Sequence, residues 1–208
     1  MSTGIDFLSA GYISASAISA AGYDFVANYL GRGLTADLAQ QYMNEGLSVV
    51  SLYEETASFY YNGYYHPDNP RYYNPNNDRS GYLDNVITYW NGYYQAQRAH
   101  DYAVDVGQPA GSAIYFAVDT DILSNDESRV ADYFHGINAG LDDAGGVHYQ
   151  VGIYGDHNAL DTVYDQGLAD YKWLAAGWRY DGTTAYHISQ TDNDSHSDGF
   201  PAPGLTMI

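Results

Sequence analysis

The chain has 208 residues, no cysteine and a formal net charge of −19, and 45% of its residues are hydrophobic. The sequence contains seven Lys and Arg but 26 Asp and Glu, so it lacks the basic surface that binds phosphates. This argues against nucleic acid as a partner. Disulfides and thiolate chemistry are excluded, no run approaches the roughly 20 apolar residues of a membrane span, and the first residues lack a signal-peptide pattern.

Short apolar strands alternate with helical segments along the chain. Predicted strands lie at 4–9, 25–31, 47–53, 113–118, 151–154, 171–176 and 185–190, and an eighth begins at 205. Helical patterns occupy 35–43, about 82–106 and 128–144. Such alternation implies parallel pairing, and seven or eight strands favour closure. We therefore predict an α/β fold, a small TIM-type (β/α) barrel with one or two missing or degenerate helices, forming a single domain over 1–208.

The fourth predicted strand ends in two carboxylates, Asp119 and Asp121. In a strand, their i, i+2 spacing places both on one face about 7 Å apart, and barrel enzymes carry their active sites where the strands end. Paired carboxylates suit proton transfer, glycoside cleavage or a metal site. The alternative is that the pair caps the helix starting near Glu127, although residues 124–126 lie closer to that helix and offer caps themselves.

Tyrosine is unusually frequent, with 24 copies, and it is concentrated in the segment 59–73 after the third strand. Prolines and asparagines in that segment argue against regular structure. A loop of this kind at the barrel mouth would present flat apolar faces that also carry hydroxyls, which suits sugar rings. The alternative is a packed lid whose tyrosines only hold the loop in place.

Several short motifs together resemble the bacterial glycoside-hydrolase-like domain, a distant relative of the family 25 lysozymes, which cleave the glycan of peptidoglycan. In chain order the motifs are Gly4-Ile5-Asp6, Tyr29-Leu30-Gly31-Arg32, the third strand ending in Glu54, Ile114-Tyr115-Phe116-Ala117-Val118-Asp119-Thr120-Asp121, Gly152-Ile153-Tyr154-Gly155 and Ile188-Ser189-Gln190. The resemblance spans nearly the whole chain.

The resemblance implies a (β/α) barrel with an acidic cleft at the carboxyl ends of its strands. The candidate catalytic residues are Asp6, Glu54, Asp119 and Asp121. The candidate substrate-binding residues, which lie at or near strand ends, are Tyr29, Arg32, Tyr154, Trp173 and Gln190.

The chain departs from the lysozyme pattern in two places. Family 25 lysozymes usually carry Asp-x-Glu on the fourth strand with the Glu as proton donor, whereas this chain has Asp121 there. The donor is therefore Asp121, with a shorter side chain, or Glu54. The relatives also tend to carry an acid in the last strand, whereas this sequence stops at Ile208. Either the sequence is clipped at its C-terminus or that acid is not needed, which weakens the case for full lysozyme activity.

Metal and cofactor chemistry are not expected. The histidines show no H-x-x-x-H spacing, and the acidic segment 192–199 does not match a calcium-loop spacing. We predict a glycoside hydrolase acting on bacterial cell-wall glycan, a secreted or cell-wall-associated monomer whose partner is a polysaccharide. The alternatives are a non-catalytic carbohydrate-binding barrel and a lytic module of phage or secretion machinery. Release of reducing ends from peptidoglycan separates cleavage from binding.

Overall fold

The structure is a computed structural model that describes residues 2–7, 11–54, 83, 86–118, 120–176, 185–190 and 205–207. The strands are β1 (Ser2–Phe7), β2 (Phe25–Tyr29), β3 (Ser48–Tyr53), β4 (Ala113–Ala117), β5 (Gln150–Gly155), β6 (Tyr171–Leu174), β7 (Ile188–Gln190) and β8 (Leu205–Met207). The helices in these residues are α1 (Ala15–Ala20), α2 (Ala36–Asn44), α3 (Tyr89–Asp105), α4 (Glu127–Ala144) and α5 (His157–Asp165).

The strands close into a barrel in the order of the sequence, from β1 to β8. Neighbouring strands from β1 to β7 pair in parallel, as the alternation of strands and helices predicts. The α/β barrel is therefore confirmed. The eighth strand departs from the parallel pattern, because β8 runs antiparallel to both β7 and β1. An antiparallel strand needs no crossover helix, so a short segment suffices to complete the barrel.

Local sequence explains where several helices begin. The hydroxyl of Thr35 accepts a hydrogen bond from the Leu38 amide at 3.2 Å, and that of Thr88 accepts one from the Asn91 amide at 3.4 Å. Both are N-caps that satisfy an amide left free in the first helical turn. Asp126, one of the three residues predicted to offer a cap, holds the N-cap position of α4, but its side chain makes no capping hydrogen bond.

The predicted helical segments do not include α1 and α5. Each is short and begins at a capping side chain. Ser14 caps α1 at the Ala17 amide, and Asp156 caps α5 at the Ala159 amide. These Ser and Asp side chains are the sequence signals that could have revealed the two helices.

The barrel interior is filled by large side chains facing small ones. A Cβ on Gly4 of β1 would overlap the ring of Phe25, and a Cβ on Gly152 of β5 would overlap the ring of Tyr115. Phe25 and Tyr115 belong with Trp173 to the cluster of buried side chains inside the barrel. Glycines on two strands thus provide room for rings on their neighbours, and the interior is a packed core.

The outer layer buries the opposite faces of the strands against the helices. Ile5, Val26, Ile114 and Ile153 lie in this second, larger core, and all four are fully buried. Within the described residues, no helix is both long and apolar enough to cross a membrane.

Candidate functional site

The carboxyl ends of β1 to β7 meet at one end of the barrel, because these strands run parallel. Asp6 is the registered partner of Ala27, whose side chain lies in the barrel interior. Tyr29 comes two residues after Ala27, and Glu54 comes two residues after the interior Leu52. Side chains two apart in a strand share a face. Asp6, Tyr29 and Glu54 therefore belong to the interior-facing positions at this end.

A small hydrogen-bond network links Asp6 to the other side of the barrel. Gln190, buried at the end of β7, donates from Nε2 to Asp6 Oδ2 at 3.4 Å. The Oε1 of Gln190 accepts from the Tyr154 hydroxyl at 3.1 Å and from the Ala176 amide at 3.2 Å. The structure thus brings together three of the predicted site residues, one each from β1, β5 and β7.

Burial raises the pKa of Asp6 above the usual value of an aspartate, because a charged carboxylate is poorly solvated there. Hydrogen bonds from its own backbone amide and from Gln190 act in the opposite direction and offset only part of this effect. A half-buried carboxyl with a raised pKa at the carboxyl end of a barrel is a candidate for proton transfer.

Arg32 connects the ends of β2 and β3. Its guanidinium lies over the ring of Tyr29, 5.6 Å from the centroid, and donates to the backbone carbonyl of Glu54 at 3.2 Å. Arg32 and Tyr29 are both half-buried. This cation on an aromatic face forms a polar, partly open rim next to the candidate acid Glu54.

The acid pair after β4 is described only in part. Asp119 lies outside the described residues, as do the tyrosine-rich segment 59–73 and the acidic segment 192–199. Asp121 is exposed. Burial raises the pKa of Asp156, which follows β5, and the nearby Asp121 side chain adds to that rise. The convergence of all four predicted acids in one pocket remains a prediction.

Trp173 does not present an open ring. Its side chain is 0% exposed and lies between Tyr154 and Tyr115, with ring centroids at 5.1 and 5.6 Å in edge-to-face geometry. Trp173, a candidate substrate-binding residue in the sequence, therefore has no ring face open to a sugar, because β6 directs this side chain into the barrel core. Tyr154, which is half-buried and reaches Gln190, keeps its place at the site.

Sequence reasoning missed Asp156. It immediately follows the quoted Gly152-Ile153-Tyr154-Gly155 motif and is completely buried. Its position after a strand and directly before a helix is the signal that could have found it, since Asp is a preferred N-cap.

A metal site or a second pocket would be the alternative to acid–base chemistry by these carboxyl groups. The described residues contain no group of three or more His, Cys, Asp or Glu that could hold a metal ion. A cavity of about 480 Å³ lies at the opposite end of the barrel, next to the amino ends of β3 and β4. Its lining includes Val50, Gln108 and Tyr115 but no carboxylate, so it is separate from the candidate acids.

A small closed (β/α) barrel with a half-buried carboxyl and a supporting amide at its carboxyl end fits a glycoside hydrolase-like barrel. The sequence profile of the Rv2525c-like, glycoside hydrolase-like domain matches residues 16–201, and the chain belongs to that family.

Solved structures with low sequence identity share the fold. The Tat-secreted protein Rv2525c of Mycobacterium tuberculosis, in complex with L-tartrate, superposes with a TM-score of 0.70 at 20% identity, over 98% of this chain and 93% of that one. The modular autolysin LytC of Streptococcus pneumoniae gives a TM-score of 0.53 at 12% identity, over 95% of this chain and 44% of that one.

A curated relative matches part of the sequence. The uncharacterized protein FadG of Bacillus subtilis (strain 168) is 35% identical over 79 residues, which are 38% of this chain. The match covers 14% of FadG.

Proposed function

We propose that this barrel binds bacterial cell-wall glycan or a related polysaccharide and hydrolyses its glycosidic bonds with the carboxyl groups at the carboxyl end of its strands. The observation that carries the proposal is the Asp6 carboxyl, which faces the barrel interior, has a raised pKa because of burial, and is bound by Gln190. Family membership supports the same chemistry.

Glycoside cleavage needs one carboxylic acid to protonate the leaving oxygen and a second carboxylate to stabilise positive charge at the anomeric carbon or to activate water. Asp121 and Glu54 are the candidate donors in the sequence. The raised pKa of Asp6 makes it a third group able to hold a proton. Asp119 is then the candidate ionised partner. Substrates with an N-acetyl group could supply their own nucleophile.

Substrate binding is assigned to the polar and aromatic side chains around these acids. Tyr154 and Gln190 already form a hydrogen-bonded pair beside Asp6. Arg32 over Tyr29 provides a cation and an aromatic face at the ends of β2 and β3. Flat rings with hydroxyls and amide groups are suited to sugar rings and their hydroxyls.

The named relatives support a cell-wall substrate and secretion. Rv2525c is described as Tat-secreted, and LytC as an autolysin that has been solved with a synthetic peptidoglycan ligand. At these identities they show only a shared fold, so the substrate, the monomeric state and the secreted or wall-associated location belong to the proposal.

The test compares reducing-end release from purified peptidoglycan by the wild type and by Asp119→Asn. Loss of a positioned acid or base should reduce the rate by about a hundredfold or more. The matched control is Asp132→Asn, which removes the same charge from an exposed position on α4 and should leave the rate unchanged.

A pull-down on insoluble cell wall separates cleavage from binding. Wild type that binds the wall but releases no reducing ends would contradict hydrolysis and leave a carbohydrate-binding barrel. Wild type that neither binds nor cleaves would overturn the proposal entirely. An Asp119→Asn variant that melts earlier while keeping its activity would show that Asp119 is structural.

A further inference from the structure

Four aromatic side chains form a contiguous cluster on the first two turns of α3. This aromatic cluster consists of Tyr89, Trp90, Tyr93 and Tyr94. Trp90 is 61% and Tyr94 50% exposed, and their rings are nearly parallel, 28° apart with centroids at 6.3 Å. Tyr89 is 38% exposed and meets the Trp90 ring edge-to-face at 5.3 Å. Single exposed aromatic residues are common, but a contiguous exposed patch marks an interaction site.

The packing of α3 keeps the Trp90 and Tyr94 rings on the outside of the protein. The buried side of α3 includes Gly92, Ala96 and Ala99. Trp90 and Tyr94 are four residues apart, so they are neighbours on the opposite side of the helix. A Cβ on Gly92 would overlap the backbone of α4, and this close contact fixes the rotation of α3 about its axis.

Tyr93 holds the cluster in place from one side. Its hydroxyl donates to Asp143 Oδ2 of α4 at 2.8 Å and accepts from Gln97 Nε2 at 3.2 Å. Its ring meets those of Trp90 and Tyr94 edge-to-face, with centroids at 5.8 and 5.3 Å. The rings are therefore ordered before any ligand arrives, which lowers the entropy that binding has to overcome.

The aromatic cluster lies at the same end of the barrel as the candidate acids. The last turn of α3 leads to Gly107 and Gln108, which line the cavity at the amino ends of β3 and β4. Since α3 has 17 residues and is about 25 Å long, its first turns lie at the carboxyl ends of the strands. A polysaccharide longer than the cleft would leave it at this end, where the cluster lies on the outside of the barrel.

Area and charge argue against a second copy of the chain on this cluster. An aromatic side chain carries roughly 200 Å² of surface, so the exposed parts of Tyr89, Trp90 and Tyr94 amount to about 300 Å². Each partner in a stable interface buries about 800 Å². In addition, α3 and α4 carry one exposed arginine, Arg129, and five exposed aspartates, so two copies meeting here would repel each other. These aspartates are Asp101, Asp105, Asp132, Asp142 and Asp143.

Uncharged sugar rings avoid this repulsion and match the chemistry of the cluster. The face of a sugar ring can pack on an aromatic ring, and its hydroxyls can bond the indole N–H and the phenol hydroxyls. We propose that Tyr89, Trp90 and Tyr94 form a second polysaccharide-binding surface, outside the cleft, which holds the glycan chain at the carboxyl end of the barrel. The inference rests on the carbohydrate-binding part of the proposed function and does not require cleavage.

The first experiment measures binding isotherms on insoluble purified peptidoglycan. Trp90→Ala should bind about tenfold more weakly than wild type, the scale of one aromatic anchor, and Trp90→Phe, which keeps a ring face, should lose less. The matched control is Tyr164→Ala, which removes a ring as exposed as Tyr89 from the last turn of α5 and should bind as wild type does. Equal binding by wild type and Trp90→Ala would overturn the inference.

The second experiment observes the cluster directly in the wild-type protein. Nitrogen-15 NMR of tryptophan-labelled protein follows the indole signal of Trp90, which is assigned by its absence from Trp90→Phe. Soluble peptidoglycan fragments should shift this signal. Fragments that shift the backbone signals of Asp6 and Gln190 but not the Trp90 signal would leave the proposed function standing and overturn the second surface.

The remaining outcomes separate the two proposals further. If the wild type releases no reducing ends while the fragments shift the Trp90 signal, hydrolysis fails and the second surface stands. If the fragments shift no signal of the protein, both proposals fail. Sedimentation velocity should show a monomer, and a wild-type dimer that dissociates in Trp90→Ala would overturn the inference in favour of an interface between copies of the chain.

Discussion

Asp6 and Trp173 both face the barrel interior, but their surroundings differ. Asp6 sits at the carboxyl end, where a neighbouring amide from Gln190 reaches it, and it remains a polar site. Trp173 faces the same interior but is enclosed by Tyr115 and Tyr154, and its indole nitrogen has no hydrogen-bond partner among the described residues. Position along the barrel axis therefore separates a candidate functional group from a core residue.

Asp6→Asn should alter the pH dependence of stability. The usual pKa of an aspartate is 3.8, and in the folded protein the pKa of Asp6 lies above it. The protonated Asp6 carboxyl therefore contributes stability that is fully present below pH 3.8 and is lost as the pH rises through the folded pKa. At neutral pH the wild type carries the cost of a poorly solvated, half-buried charge, which asparagine removes. The variant should therefore melt at a higher temperature than wild type at pH 7, and this advantage should disappear in acid.

Thermal melts of both proteins across this pH range check the prediction, with Asp132→Asn as the matched charge control. A difference in melting temperature that stays constant from acid to neutral pH would mean that the Asp6 carboxyl does not carry the predicted cost.

Trp173→Ala should affect folding more than glycan binding. Removing a fully buried Trp side chain leaves a cavity and costs about 3–5 kcal/mol of unfolding free energy. Tyr154→Phe is the contrasting variant, because it keeps the ring and loses only the hydroxyl that binds Gln190. It should weaken cell-wall binding with a smaller loss of stability.

Denaturant unfolding beside a pull-down on insoluble wall measures both effects. If folded Trp173→Ala lost binding while its unfolding free energy stayed at the wild-type level, the core assignment of Trp173 would be wrong.

At the scale of elements, α3 and α4 approach each other through glycines. A Cβ on Gly136 or Gly140 of α4 would overlap the backbone carbonyl oxygen of Tyr89 or Tyr93, and a Cβ on Gly92 of α3 would overlap that of Tyr133. The two backbones are therefore in direct contact. Glycine weakens an isolated helix, so its use here is explained by packing and not by local preference.

Gly136→Ala should destabilise the protein. Alanine favours a helix by about 1 kcal/mol over glycine, but here its methyl group would have to displace the Tyr89 backbone, and such overpacking costs about 1–3 kcal/mol. Since the new contact is with backbone rather than a flexible side chain, we expect the larger cost and a melting temperature lower by several degrees.

The control is Ser128→Ala, at an exposed position of the same helix, which should change the melting temperature little. A Gly136→Ala protein as stable as wild type would show that α3 and α4 separate easily.

The prediction of elements succeeded where local chemistry decides the outcome. Gly46, with a φ of 81°, follows α2, and Gly145, with a φ of 67°, follows α4, and the predicted helical segments 35–43 and 128–144 end just before these glycines. The direction of β8 could not be read in this way, because strand direction depends on which edges remain to be paired when the barrel closes. Its antiparallel pairing with β7 and β1 is a tertiary result.

At the scale of the whole molecule, charge and fold have separate consequences. The net charge of −19 gives a surface that repels anionic polymers and favours solubility. The barrel instead directs interior-facing residues from distant parts of the chain to one end. Asp6 and Gln190, 184 residues apart, come into hydrogen-bond contact in this way.

The sequence by itself determined the alternation of strands and helices, the carboxylates at strand ends and the family resemblance, because these depend on short-range patterns and on motif order. Only the tertiary structure decided that Trp173 is core and that the buried Asp156 binds the backbone amide of Ile122. Burial and contact between residues far apart in sequence arise from the register of neighbouring strands and from the packing of the loops between them, and no local pattern encodes either.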